Sequence, residues 1–276
     1  MFSSPGLIAS RILFVGLVIE AAELLMLRPV FDDGGPLSRA TLMILTSGAR
    51  WQNRVGATLG DGRAIAAVAG CQGMLALIVV LEGVGTPIGI ASALACLCTN
   101  AYLHVRKQIG SSGAEQLTMI VLMTFALVVV AGGGSAAREI GDAFIAAQLV
   151  LAYFASGVSK LASPVWRRGE AMRGVLSTEG YGVPALARIL LAHPRLDELM
   201  CWSVIAWEVT FPIVLIVPRH VMIGVLAAGV VFHASCALLM GLNRFLWAFC
   251  GCYPAVWVTA AHFHEMIGLR PDSLPS

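Results

Sequence analysis

The chain has 276 residues, of which 58% are hydrophobic and 12% charged, and its formal net charge is +2. Ordinary soluble domains carry about 25% charged residues, and a single core of this length has too little interior to hide so much apolar surface. Soluble globular, disordered, fibrous and disulfide-scaffold classes are therefore excluded; the small net charge, with no Lys/Arg-rich run, excludes nucleic acid as a partner.

What remains is a multi-pass membrane protein, expected in the cell membrane with lipids as its immediate partners. A helix needs about 20 mostly apolar residues to cross a bilayer. In chain order the apolar runs fall at about 7–28, 63–82, 86–104, 116–133 and 140–161, then at about 200–217, 220–241 and 245–263. The pattern predicts an all-α fold: a polytopic transmembrane helical bundle of about eight spanning helices plus an interfacial helix, in one domain over 1–276. The first run keeps Glu20 and Glu23 and is followed by no small-residue cleavage site, so it reads as a retained membrane helix. Breaker-rich turns from Glu82 to Pro87 and from Gly241 to Arg244 force antiparallel neighbours. Gly132, Gly133 and Gly134 mark another turn.

Two connections are longer. Residues 29–62 hold Asp32, Asp33 and the cluster from Arg50 to Arg54. Residues 162–199 hold Trp166, Arg167, Arg168, Glu170 and Arg173, and within them Val183 to Ala192 is apolar but too short to span. An interfacial or re-entrant form is expected there, with Trp166, Arg167 and Arg168 at headgroup level. Most Lys and Arg residues fall in the connections after the first, third, fifth and seventh runs. The positive-inside rule then puts both long connections in the cytoplasm and both termini outside. No strong internal repeat is visible, which weighs against a transporter built from duplicated halves.

A charge at the centre of a bilayer helix costs about 2.5–3.5 kcal/mol on insertion scales, so each one needs a reason. Glu20 and Glu23 share one face of the first run. Glu208 lies deep in the sixth and His233 midway along the seventh; each reads either as a functional group or as a structural partner of a neighbouring helix. Lys160 closes an apolar stretch with Tyr153 and Gly157 at helical spacing on its face, and Ser156, Gly157 and Ser159 would admit a helix or a flat ligand closely. A lysine desolvated there would be placed to act as a general base; the alternative is a side chain that snorkels to the headgroups.

The remaining clusters carry less. Cys250 and Cys252 with His262 and His264 are metal-ligand types, but Cys-x-Cys lacks the usual Cys-x-x-Cys spacing, so no metal site is assigned. Cys96 and Cys98 lie on different faces of a helix and make no redox pair.

At the fifth run the sequence reads LAYFASGVSKLASPVWRRGEAMRGVLS. This resembles the Tyr-Phe…Gly-Val…Lys-Leu…Trp…Gly segment of the vitamin K-dependent γ-carboxylase family and of the broader HTTM membrane proteins. WEVTFPIVLIV looks like the family's Trp-Glu helix, and FHASCALLMGLNRFLWAFCGCYPAVW looks like its Phe-His block. The resemblance implies a membrane enzyme that handles a reduced quinone similar to vitamin K hydroquinone. In that family a lysine deprotonates the hydroquinone, and Lys160 stands at the matching position. Glu208 and His233 would then be its polar partners, while Tyr153, Gly157, Trp166, Arg167 and Arg168 would shape the substrate pocket. The alternatives are a non-enzymatic membrane module that binds or matures a partner peptide, and a small transporter.

Overall fold

The computed structural model describes residues 5–38, 40–41, 44, 61–107 and 112–266. The cluster from Arg50 to Arg54 lies outside them. Every regular element among the described residues is helical, and the chain groups into two compact units, Met1–Gly134 and Ser135–Ser276.

The first unit holds α1 (Pro5–Met26), a 3-10 turn (Arg28–Phe31), α2 (Gly62–Glu82), α3 (Pro87–Arg106) and α4 (Gly113–Val130). Local chemistry sets the helix starts. The Asp61 side chain accepts from the backbone N–H groups of Arg63 and Ala64, and Thr86 accepts from that of Gly89 with Pro87 in the first turn. Ser112 and Glu115 form a reciprocal capping box at α4, which satisfies two donors that a helix start otherwise leaves open. Two apolar clusters fill the unit. Leu13, Phe14, Leu17, Ala76, Val79, Ala93, Cys96 and Leu122 make one, and Leu24, Phe31, Ile65, Ala69 and Leu103 make the other. In the sequence of each helix a buried polar residue falls between the two sets: Glu20 on α1, Gln72 on α2 and Asn100 on α3.

The second unit holds α5 (Ser135–Ala162), α6 (Pro164–Arg167), α7 (Ala171–Leu176), α8 (Pro184–Ala192), α9 (Pro194–Thr210), a 3-10 continuation of α9 (Phe211–Leu215), α10 (Arg219–Met240) and α11 (Asn243–Met266). Pro212 has no N–H to give to the α-helical ladder, and α9 tightens into the 3-10 turn there. α10 ends at Gly241, whose φ of 70° only glycine adopts freely. The second long connection folds as α6, α7 and α8, helices of 4, 6 and 9 residues, each too short to span. Leu176, Ala187 and Leu190 make a small core of their own there.

Six described helices are long and apolar enough to cross a membrane: Gly62–Glu82, Pro87–Arg106, Gly113–Val130, Ser135–Ala162, Pro194–Leu215 and Arg219–Met240. Among the described residues the expected count of about eight is not confirmed. α1, with Arg11, Glu20 and Glu23, and α11, with Arg244, His262, His264 and Glu265, are also long and carry polar residues, and neither is among the six. Only 22–33% of the most apolar stretch in each of the six is buried within the protein. The rest presents apolar side chains such as Leu81, Leu127, Ile140 and Leu238 outward, as lipid contact requires. Two boundaries also differ from expectation. α5 starts at Ser135, directly after the glycine turn, and so includes Arg138, Glu139 and Asp142. α9 starts at Pro194, a residue favoured in the first turn of a helix. A glycine turn before one and a proline in the first turn of the other, not the edge of the hydropathy, mark both starts.

Candidate functional site

The site is built on α5, α9, α10 and α11 of the second unit. Gly157 is the reason α5 and α9 lie so close. A Cβ added there would stand 2.7 Å from the Val209 backbone nitrogen and 2.9 Å from the Glu208 Cβ. A hydrogen at this position lets the helices approach until their polar side chains meet. Lys160 Nζ then lies 2.6 Å from Glu208 Oε2 and 2.5 Å from Ser156 Oγ, and Ser156 donates to Glu208 Oε1 at 3.4 Å. The Lys160 side chain is 19% exposed and that of Glu208 5%. Trp166 of α6 covers the ammonium with its ring centroid 5.2 Å from Nζ, a cation–π distance.

Two turns earlier on α5, the Tyr153 hydroxyl is 2.7 Å from His233 Nε2 and 2.8 Å from the Tyr253 hydroxyl. The proton order follows the histidine tautomer: with the hydrogen on Nδ1, Tyr253 donates to Tyr153 and Tyr153 to His233 Nε2; with it on Nε2, the imidazole donates to Tyr153 and Tyr153 to Tyr253. His233 Nδ1 and Trp207 Nε1 are buried and have no hydrogen-bond partner among the described residues. Aromatic rings enclose this network, with Trp207, Phe211 and Phe249 centred 4.8, 4.1 and 5.1 Å from the Tyr153 ring.

The sequence-derived residues divide between these contacts and the surface. Lys160, Glu208, Gly157 and Trp166 meet at one level, and Tyr153 and His233 meet at the next. Arg167 and Arg168 do not join them: both are exposed, and Arg168 pairs with Glu170 at 3.2 Å. Sequence reasoning passed over Tyr253, because a single tyrosine in an apolar helix gives no signal. It also passed over Asp197, which is fully buried, accepts from the Arg173 backbone N–H at 3.3 Å and pairs with the Arg173 side chain at 3.6 Å. An acid beside an apolar run was the available clue. Among the described residues no group of three His, Cys, Asp or Glu side chains converges as a metal site would require.

No protein-family model, curated protein or solved structure matches this chain.

Proposed function

We propose that the second unit is the reaction centre of a cell-membrane enzyme related to the HTTM and γ-carboxylase group, with Lys160 and Glu208 together forming a base for a quinol-like, lipid-soluble substrate. The observation that carries this reading is the 2.6 Å contact between Lys160 Nζ and Glu208 Oε2 on membrane helices. Placing a charge in such a helix is costly, and an ion pair that served packing alone could be exchanged for apolar side chains at little loss.

The residues present fit a flat aromatic alcohol. Lys160 supplies a proton acceptor, Trp166 a flat wall, and Trp207 Nε1 and His233 Nδ1 hydrogen-bonding capacity that the described residues leave unused. A bound quinol would supply an acidic O–H and two electrons. At 2.6 Å the pair exchanges a proton between Nζ and Oε2 without changing its net charge. The neutral amine that results accepts one proton from a substrate hydroxyl while Glu208 keeps the other. Ser156 accepts from Lys160 and donates to Glu208, which holds both groups in register through the exchange. Partial burial and the Trp166 ring over Nζ limit the water that competes for the amine.

The test compares purified wild-type protein with Lys160→Met, Glu208→Gln and the double variant Lys160→Met/Glu208→Leu. Mass spectrometry identifies the co-purifying quinones and lipids, and turnover of added quinol is followed. The expected result is a quinone retained by the wild type, with turnover lost in all three variants. Phospholipid alone in every sample, with no turnover by the wild type, sinks the enzyme reading and leaves a partner-binding module.

A further inference from the structure

Two cations stand side by side at the end of α3 in the first unit, and their surroundings differ. Lys107 is held by Glu20 of α1 and by Glu115 of α4, the latter at 3.0 Å. Arg106 is 2% exposed, and no carboxylate lies within ion-pair distance of it among the described residues. Its Nη1 donates to the Leu37 carbonyl at 2.9 Å, and its guanidinium carbon sits 5.5 Å from the centre of the Phe31 ring. Nε and Nη2 are buried and have no hydrogen-bond partner among the described residues.

Those two nitrogens belong to the same edge of the planar group, so their N–H bonds run nearly parallel. This is the fork that takes both oxygens of a carboxylate or phosphate at once. Charge alone does not create the demand, since Arg106, Lys107, Glu20 and Glu115 sum to zero. Hydrogen bonding does. Lys107 uses both carboxylates, and the edge of a group that stays charged in proteins is left with its donors unmet. Arg28, in the 3-10 turn that also contributes Phe31, adds a second basic group. Its Nε is buried without a hydrogen bond, and the Asp32 carboxylate stands 3.9 Å away.

We propose that Arg106 is the side-on receptor for an oxyanion with two coplanar oxygens, a carboxylate or a phosphate, seated between the 3-10 turn and the end of α3. The turn follows α1, and α3 ends against it, so the site lies where membrane helices end. A small anion from water and the phosphate of a lipid headgroup both reach that level, and both present the same chemistry to the fork. Chloride offers one centre, not two, and fits it poorly.

The experiment uses the full chain in phosphatidylcholine nanodiscs. Equilibrium dialysis with labelled phosphate or acetate is run at constant ionic strength set by chloride, and thermal midpoints are compared with those in discs containing phosphatidic acid. The wild type is expected to bind one equivalent of phosphate or acetate saturably, without competition from chloride. Arg106→Lys, which keeps the charge but loses the fork, is expected to weaken binding about tenfold or more. If the midpoint rises only in phosphatidic acid discs, and Arg106→Lys abolishes that rise, the oxyanion is a lipid headgroup. The proposal is overturned by a wild type that shows neither saturable binding nor a phosphatidic acid response, and equally by Arg106→Lys binding as tightly as the wild type. The wild-type isotherm alone decides the matter if the variant fails to fold.

Discussion

Gln72 and Glu208 are both buried on membrane helices, yet they meet different surroundings. Glu208 has Lys160 and Ser156, whereas neither the amide nitrogen nor the carbonyl oxygen of the fully buried Gln72 side chain has a partner among the described residues. A buried polar atom without a hydrogen bond costs about 1–3 kcal/mol. Gln72→Leu, which nearly conserves the volume, should therefore raise the thermal midpoint in detergent; an unchanged or lower midpoint would show that the amide is satisfied after all. Removing one member of the Lys160–Glu208 pair strands the other, so each single variant should lose about 3–5 kcal/mol. The double variant Lys160→Met/Glu208→Leu should regain most of that loss in chemical denaturation while turnover stays absent. Recovery of stability together with activity would make the pair structural only. The sequence singled out Lys160, Glu208 and His233 because charge and imidazole stand out in apolar runs. It could not show that Lys160 and Glu208 meet, since 48 residues separate them. Lys107 and Glu115 stand at helix ends, where a polar residue gives the sequence no signal of a buried contact.

At the scale of helices, the close approach of α5 to α9 depends on one missing side chain. Gly157 faces the backbone of α9 at a distance no Cβ tolerates, so Gly157→Ala must push α5 and α9 apart. Overpacking of this kind costs about 1–3 kcal/mol. The variant should melt earlier than the wild type and should lose the quinol turnover expected of the Lys160–Glu208 pair. A variant with wild-type melting and turnover would mean that α9 adjusts without loss. Most apolar runs were legible as helices because bilayer thickness fixes their length. Their ends were less so. α5 gained a polar first turn from the glycine turn before it, and α9 was lengthened at its start, to Pro194, while its last residues form a 3-10 turn. Hydropathy registers neither a cap nor a proline. The short helices α6 to α8 were foreseen only as an interfacial or re-entrant stretch, because segments of 4 to 9 residues carry too little periodicity to be read singly.

At the scale of the molecule, the outward-facing apolar surface of six helices dominates. A protein with this surface should remain in the membrane pellet after an alkaline carbonate wash and enter solution only with detergent; its release by carbonate would contradict membrane-spanning helices. The shared lysine of the first unit also bears on how the chain is made. Glu20 is synthesised 87 residues before the Lys107 that holds it. At a synthesis rate of roughly 5–20 residues per second, the lysine follows about 4–17 s later. For that interval the Glu20–Lys107 contact cannot form, because its lysine has not yet been made. The order of residues along the chain thus imposes a delay on assembly: the contact that ties α1 to the end of α3 closes only after that end has been made, and Glu115 of α4 joins it eight residues later still.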